Sequence, residues 1–276
     1  MVGELAPLTS GLVVSAIVSD KPILTFRDFS LRCDKSDPKI SFQAPWNWKL
    51  PRGRRVAVIS ENSFLRYQLT TSIAGLIAPV SGEMICSGVV GWPVGGEGGL
   101  DKKMRVSHAL DFLSAVYDDC LEKSIISLDQ FWDLLSGMEV DPRGIIGELT
   151  RPQRDFFFLS LSVLFSFDFY LIPQTRFLMS REARVLKELL SNQLEGKTLI
   201  ATSTNRRFQQ EFCSDGLVIG SSGQLLFAGG LLEAIQWSDQ NLTGATVSES
   251  EDESFGMDLM FNNSEPSGMS IDDVGI

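Results

Sequence analysis

The sequence predicts an α/β fold built around parallel strands that are covered on both faces. Three short apolar runs, at residues 56–59, 167–172 and 198–202, have the composition of strands buried on both sides. Helical apolar spacing separates these runs, and an alternating apolar pattern precedes the first of them. We therefore predict an antiparallel β portion first, an alternating β/α core after it, and a helical insert near the middle of the chain.

The first hundred residues contain the antiparallel portion and the first strand–helix pair. Residues 1–20 show little pattern, and we expect a flexible N-terminus before a single domain at 21–237. The alternation at 23–31 predicts an edge strand. The other elements predicted here are extended segments at 39–42 and 46–50, the buried strand at 56–59, a helix at 67–77, a strand at 84–92 and a glycine-rich loop at 93–99.

The rest of the domain alternates helices and strands after a helical insert at about 103–155. Pro152 is tolerated in the first turn of the long apolar helix predicted at 152–165. The remaining predicted elements are helices at 106–117 and 128–135, strands at 167–172 and 198–202, helices at 181–192 and 206–212, a hairpin at 216–219 and 224–228, and a closing helix at 231–237.

The negative charge of the chain is concentrated at its C-terminal end. The net charge is −11, but residues 239–276 hold nine Asp and Glu and no Lys or Arg, which leaves −2 for the first 238 residues. Because such a segment cannot bury enough apolar surface, we expect 238–276 to be a disordered acidic tail. The nearly neutral body argues against a nucleic-acid partner, which would require a basic surface.

Composition also argues against several other classes of protein. No apolar run reaches the roughly 18–20 residues that cross a bilayer, and no basic region precedes the first apolar stretch as in a signal peptide. The single histidine, His108, cannot form a triad or a multi-histidine metal site and is expected to be structural. The four cysteines lack metal or redox spacing and are expected to be reduced cytosolic thiols in or near the core: Cys33, Cys86, Cys120 and Cys213.

Residues 53–84 carry a buried strand, a turn and a helix in succession. This layout resembles the opening of an ABC-transporter ATPase, whose loop reads G-x-x-G-x-G-K-[ST]. In that loop the glycines let backbone N–H groups approach phosphate, the Lys neutralises its charge, and the Ser/Thr ligates magnesium. The resemblance spans roughly 22–237 and implies a P-loop NTPase-like, ABC-type nucleotide-binding domain. It is closest to the capsular-polysaccharide exporter branch, which has stretches similar to those at 90–95, 165–172 and 211–215.

The positions that the resemblance assigns to nucleotide chemistry hold other residue types here. The loop falls on Ser60, Glu61, Asn62, Ser63, Phe64, Leu65, Arg66, Tyr67 and Gln68, with Arg66 at the lysine and Tyr67 at the Ser/Thr. The glutamine that senses the γ-phosphate falls on Asp101, and the switch histidine falls on Thr204. The signature turn falls on Thr150, Arg151, Pro152 and Gln153, and the metal-linked Asp and catalytic Glu fall on Pro173 and Gln174.

These replacements predict a chain without catalytic residues or metal ligands. Pro173 offers magnesium no side-chain oxygen, and Gln174 cannot take a proton from water. We therefore expect no cofactor and no ATP hydrolysis, with residual binding of ATP and magnesium as the alternative that stays open. Arg66 is expected to be a solvated or ion-paired residue at the start of a helix, and Trp92 a core residue. The glycine-rich loop lacks the following helix that an anion site would use.

Three hypotheses about function follow. The first is a pseudo-ATPase that serves polysaccharide export at the cytoplasmic face of the inner membrane, as a non-hydrolysing partner or scaffold. Its partners would be an ABC permease, a second ABC ATPase subunit or both, in a homodimer or heterodimer. The second is a stand-alone regulatory or interaction protein that reuses the fold. The third is a divergent subunit that still binds ATP.

The tail adds a separate expectation. An acidic run at 248–254 is followed by large apolar residues, which is typical either of a short docking motif or of a solubilising tail. The apolar residues are Phe255, Met257, Leu259, Met260 and Phe261.

Overall fold

The structure is a computed structural model, and it describes residues 22–37, 39–42, 44–97 and 99–242. The strands of this part are β1 (Pro22–Ser30), β2 (Trp46–Pro51), β3 (Arg55–Ile59), β4 (Ser81–Cys86), β5 (Phe169–Ile172), β6 (Thr198–Ala201), β7 (Asp215–Ile219) and β8 (Leu225–Gly230). Its α-helices are α1 (Ser63–Ile73), α2 (Val106–Val116), α3 (Asp118–Glu122), α4 (Leu128–Ser136), α5 (Arg151–Leu164), α6 (Arg184–Gln193), α7 (Arg206–Phe212) and α8 (Leu231–Asn241).

The larger sheet has the order β5-β6-β3-β7-β8, with all pairs parallel except β7–β8. The three apolar runs that predicted the fold lie in β5, β6 and β3, which are neighbours in this sheet. That prediction is confirmed. The strands read as continuous apolar runs because they are covered on both faces: every residue of β5 and β6 is buried.

Two hydrophobic cores lie on opposite faces of this sheet. Successive side chains of a strand point to opposite faces, so Val56 and Val58 enter one core and Ala57 the other. The first core lies between the large sheet and a smaller antiparallel sheet of order β2-β1-β4. The second core lies under α5, α6 and the helical insert 103–155, whose helices α2 and α4 match the prediction closely.

The smaller sheet corrects one prediction. Strand β1 was expected at an edge, but it is the middle strand, paired with β2 on one side and β4 on the other. Alternating burial shows which residues face a core but not how many neighbours the strand has, which is why the pattern alone was misleading. The strand expected at 84–92 is shorter, since β4 ends at Cys86 and only Val90 pairs further on, with Phe169.

The observed helix boundaries differ most from the predicted ones in the first and the last helix. Helix α1 begins at Ser63 and ends at Ile73, four residues before the predicted start and end. Helix α8 continues to Asn241, so the predicted start of the tail at 238 lies inside a helix. Ser238 is buried, and Asp239 accepts a 2.9 Å hydrogen bond from Arg206, which fixes this last turn. The rest of the predicted tail, including its apolar residues, and the predicted N-terminus lie outside the described residues.

Among the described residues, no helix is long and apolar enough to cross a membrane.

Candidate functional site

The connection between β3 and α1 is where the sequence places the phosphate loop, and it is short. Strand β3 ends at Ile59 and α1 begins at Ser63, so six of the nine assigned loop positions are helical. Asn62 caps the helix: its side chain accepts a 2.9 Å hydrogen bond from the Leu65 N–H. Leu65 is fully buried in the core between the sheets. A helical turn therefore fills the space that a glycine-rich loop would leave around a phosphate.

Asn62 also connects this turn to two distant segments. Its side-chain amide donates to the Cys33 carbonyl at 2.8 Å and to the Ser221 carbonyl at 2.9 Å. Cys33 follows β1, and Ser221 lies in the turn between β7 and β8. A single side chain thus connects the start of α1 to the segment after β1 and to the turn between β7 and β8.

Arg66 was expected to be a solvated or ion-paired residue at the start of a helix, and its burial shows that the solvated alternative is wrong. It is 6% exposed, and its guanidinium donates to the Ser60 carbonyl at the end of β3. Burial lowers the pKa of Arg66 to about 10, so the group is still cationic at neutral pH. Because the guanidinium contacts a backbone carbonyl, its positive charge lies in the interior of the protein. Tyr67 beside it is half-buried, and burial raises its pKa.

Hydroxyl groups pair with one another beyond the carboxyl ends of β6 and β5. Thr202 follows β6, and its Oγ1 lies 2.8 Å from Thr70 Oγ1 on α1. Ser203 and Thr175 are joined by a 3.0 Å hydrogen bond between their hydroxyls. Within the part of the chain that the structure describes, no group of three or more His, Cys, Asp or Glu could hold a metal ion.

The signature positions serve as a helix cap. Gln153 Oε1 accepts 3.0 Å and 2.9 Å hydrogen bonds from the backbone N–H and the hydroxyl of Thr150. Its amide nitrogen donates to the Met138 carbonyl at 3.2 Å, which ties α5 to the insert. Asp101 similarly caps a local turn by accepting from the Lys103 N–H at 2.8 Å. These polar groups are engaged in local structure.

The glycine-rich loop and Trp92 also have structural roles. The Gly95 N–H donates to Ser162 Oγ at 3.3 Å and the Gly96 N–H to the Pro93 carbonyl at 2.8 Å, so these donors face the protein. Trp92, which was predicted to be a core residue, is partly buried and packs edge-on against Phe167 and Tyr117 beside the second core.

Comparisons with known proteins agree with this architecture. No family model matches the chain. Two relatives, both named polysialic acid transport ATP-binding protein KpsT from Escherichia coli, are 26% identical over 188 residues and 24% identical over 179 residues. The first match covers 67% of this chain and 84% of the relative, and the second covers 64% and 78%.

Solved structures extend the likeness to the fold. The ATP-binding subunit of an ABC transporter superposes with a TM-score of 0.58 at 15% identity, covering 85% of this chain and 99% of that one. An inward-facing, putative metal-chelate type ABC transporter gives 0.55 at 12% identity, covering 77% and 85%. The fold is that of an ABC ATP-binding subunit. The predicted likeness to the capsular-polysaccharide exporter branch is confirmed as well.

Within the ABC fold, four of the assigned positions meet in one cleft of about 910 Å³, which we call the arginine cleft. Pro173 and Gln174 follow β5 on one side of it, and Arg151 and Pro152 begin α5 on the other. The glycine-rich loop, at 93–97, forms a third side. Of the described residues that line the cleft, none comes from 60–68. Most of the ABC positions are therefore divided between the loop positions 60–68 and an open cleft.

The charge of this cleft was not predicted from the sequence. Arg151, Arg154 and Arg176 surround one carboxylate, Asp155. Burial raises the pKa of Asp155, and the three arginines act in the opposite direction. A signal was available, since Arg154 and Asp155 lie on a predicted helix, Arg151 directly precedes it, and Arg176 follows a predicted buried strand. What the sequence did not show was that this strand ends beside the start of α5.

Proposed function

We propose that this chain is a non-hydrolysing ABC-type subunit of a polysaccharide export system, acting as a partner or scaffold for active subunits. The export assignment is supported by the likeness to KpsT, which is named as a polysialic acid transport ATP-binding protein. The non-hydrolysing assignment is carried by one observation: α1 begins at Ser63, so the phosphate-loop positions form a capped helix with Arg66 buried behind it.

ATP with magnesium is the group that the fold implies, and the residues present do not fit it. A phosphate loop needs backbone N–H groups that converge on an anion, whereas the Leu65 N–H is capped by Asn62. The side chain at the lysine position donates to the Ser60 carbonyl. Magnesium needs carboxylate or hydroxyl oxygens, and Pro173 supplies neither. These three observations support a subunit that neither binds nor hydrolyses nucleotide.

The partners proposed for this role follow from how ABC ATP-binding subunits work, as dimers docked on a membrane permease. We propose that this chain pairs with a permease, with a second ABC ATPase subunit, or with both, at the cytoplasmic face of the inner membrane. A subunit without turnover would then contribute binding surface to the assembly.

The test combines nucleotide titration with phosphate release. Purified protein is titrated with a fluorescent ATP analogue in the presence of magnesium, and steady-state phosphate release is measured in parallel. We expect no saturable binding at millimolar nucleotide and no turnover above a protein-free blank. Turnover comparable to an ordinary ABC ATPase, and lost in Arg66→Ala, would overturn the proposal.

A second measurement separates export from the stand-alone regulatory alternative. The tagged full chain is used to capture an exporter permease and an intact ABC ATPase that are co-expressed with it. Stoichiometric capture of either supports the export role. Capture of neither, with nucleotide binding also absent, would leave the stand-alone interaction protein as the better description.

A further inference from the structure

The arginine cleft carries an unbalanced positive charge. Arg151 lies 3.9 Å from Asp155, but Arg154 and Arg176 form no ion pair within the part of the chain that the structure describes. Lys102 is paired with Glu97 at 3.5 Å, and the fully exposed Glu182 is engaged with Ser180 and Arg181. Two guanidinium groups beside Asp155 are therefore left to bind an added anion, and guanidinium groups bind carboxylates well.

The cleft also has an apolar wall. Val94, Phe158, Leu159 and Leu178 line it from the core side, and the half-exposed Phe177 stands at its margin. Its volume of about 910 Å³ is near the upper end of the 300–1,000 Å³ that small-molecule sites occupy. A ligand that fills it must combine several negative charges with large apolar groups, which a single phosphate does not.

The C-terminal segment of the chain has this combination. Glu249, Glu251, Asp252 and Glu253 are followed within eight residues by Phe255 and Phe261, with Met257, Leu259 and Met260 between them. Residues 243–276 contain no Lys or Arg, so the segment carries no positive side chain that Arg154 and Arg176 would repel.

Helix α8 delivers this segment to the edge of the sheet at which the cleft opens. The helix starts beside Ser214, next to the start of β7, and runs to the opposite end of the strands. There Arg206 bonds Ser238 and Asp239 at 3.3 Å and 2.9 Å. Arg206 follows Ser203, whose hydroxyl bonds Thr175, and Thr175 precedes Arg176 in the cleft. The C-terminal end of α8 is therefore connected to the cleft through a series of neighbouring side chains.

We propose that residues 249–261 of this chain dock into the arginine cleft of the same molecule, with their carboxylates on Arg154 and Arg176 and their aromatic rings on the apolar wall. The linker 243–248 holds six residues. It spans up to about 20 Å when extended, which is comparable to the radius of gyration of about 17 Å expected for a compact domain of about 220 residues. A docked segment would cover Pro173, Gln174 and the start of α5 and compete with any protein that uses this face.

The test places a photo-crosslinking amino acid at position 255 or 261 of the full chain and identifies the adducts by mass spectrometry. We expect adducts within 93–97, 151–159 and 173–182, in a product with the mass of one chain. Arg154→Ala with Arg176→Ala should lower their yield by about tenfold, since a tenfold change needs only about 1.4 kcal/mol. The yield should also fall between about 0.1 M and 1 M salt, because the Debye length falls from about 10 Å to about 3 Å.

Two controls keep the result interpretable. Arg184→Ala removes a highly exposed arginine that does not line the cleft, and should leave the yield unchanged. Neutralising the tail with Glu249→Gln, Glu251→Gln, Asp252→Asn and Glu253→Gln tests the same contact without altering the body. Adducts spread over other faces, adducts found mainly in two-chain products, or a yield insensitive to both sets of substitutions would overturn the proposal. Suppression of the adducts by millimolar inorganic phosphate at constant ionic strength, together with no effect of the tail substitutions, would assign the cleft to a small anion instead.

Discussion

Asn62 makes more contacts than a helix cap requires. Besides capping α1, it donates to carbonyls that follow β1 and β7, so its loss removes bonds from three segments. Asn205 provides a matched comparison, because it caps α7 by accepting a 2.9 Å bond from the Phe208 N–H.

We expect Asn205→Ala to cost about 1 kcal/mol and Asn62→Ala about 2–3 kcal/mol of unfolding free energy, since the second variant also leaves two carbonyls without their donor. Urea denaturation of both variants measures the difference. Equal costs would show that the bonds to Cys33 and Ser221 contribute nothing.

The thiols give a second prediction at this scale, and it depends on pH. Burial raises the pKa of Cys33 to about 11 and of Cys213 to about 12, and it also raises that of Cys86 and Cys120. Because the thiolate is the nucleophile, raised pKa values mean slow labelling at pH 8 and faster labelling as the pH rises. Cys86 is the one of the four that is not buried, so it should react first, and Cys86→Ser should remove the fast phase. Labelling led by Cys213 in intact protein would contradict this.

For single residues, the sequence predicted which side chains lack the required chemistry better than it predicted where each side chain lies in the fold. Pro173 and Gln174 could be recognised as poor replacements for carboxylates from their identities alone. The burial of Arg66 could not, because it depends on the Ser60 carbonyl, which the strand leaves inside the fold. The start of α1 was readable, since an Asn shortly before the first apolar residues of a helical segment is an N-cap signal. The resemblance to a phosphate loop favoured an irregular segment there instead.

Among the elements, the turn between β7 and β8 joins the two sheets. Trp46 on β2 donates its indole N–H to the Gly223 carbonyl at 2.7 Å. Gly223 has φ +81°, and a Cβ there would lie 2.1 Å from the ring of Phe42. The turn can therefore approach the smaller sheet only because position 223 has no side chain.

Gly223→Ala and Gly75→Ala separate this contact from backbone strain. Gly75 has φ +76° but nothing within 4 Å of an added Cβ, so its substitution costs only the strain of a left-handed residue, about 1–2 kcal/mol. Gly223→Ala should cost about 1–3 kcal/mol more, because Phe42 must also move. Thermal or urea unfolding measures both. If the two variants are equally stable, the turn does not dock as described.

Element order was more predictable than element boundaries. Runs such as Val56–Ala57–Val58–Ile59 identify buried strands, and their separation by helices implies a parallel sheet. The middle position of β1 depends on β4, whose residues 81–86 are mostly exposed and show little apolar pattern. Nothing local in β1 shows that a second neighbour pairs with it.

For the whole molecule, two truncations test where the body ends. Removing 243–276 should change the melting temperature by no more than a few degrees, since it leaves every described contact in place. Removing 239–276 also deletes Asp239 and its bond to Arg206, and Leu242, which packs against the cluster of Ile59, Val218 and Ala234. We expect a further loss of about 1–2 kcal/mol, or about 3–6 °C for a domain of this size. Equal melting temperatures for the two truncated proteins would place the end of the folded body before residue 239. Precipitation of the protein that lacks 239–276 would show that more of the C-terminal segment belongs to the core.

The central position of β3 also determines when the domain can form during synthesis. Its residues 55–59 pair only with 199–201 and 215–218, so both edges of this apolar strand lack partners until most of the chain has left the ribosome. At about 5–20 residues per second, that interval is on the order of 10–30 s. Late, long-range pairing also makes the folding barrier large. Nascent chains arrested before residue 198 should therefore associate with chaperones or aggregate, and the yield of native protein should depend on translation speed as well as on final stability.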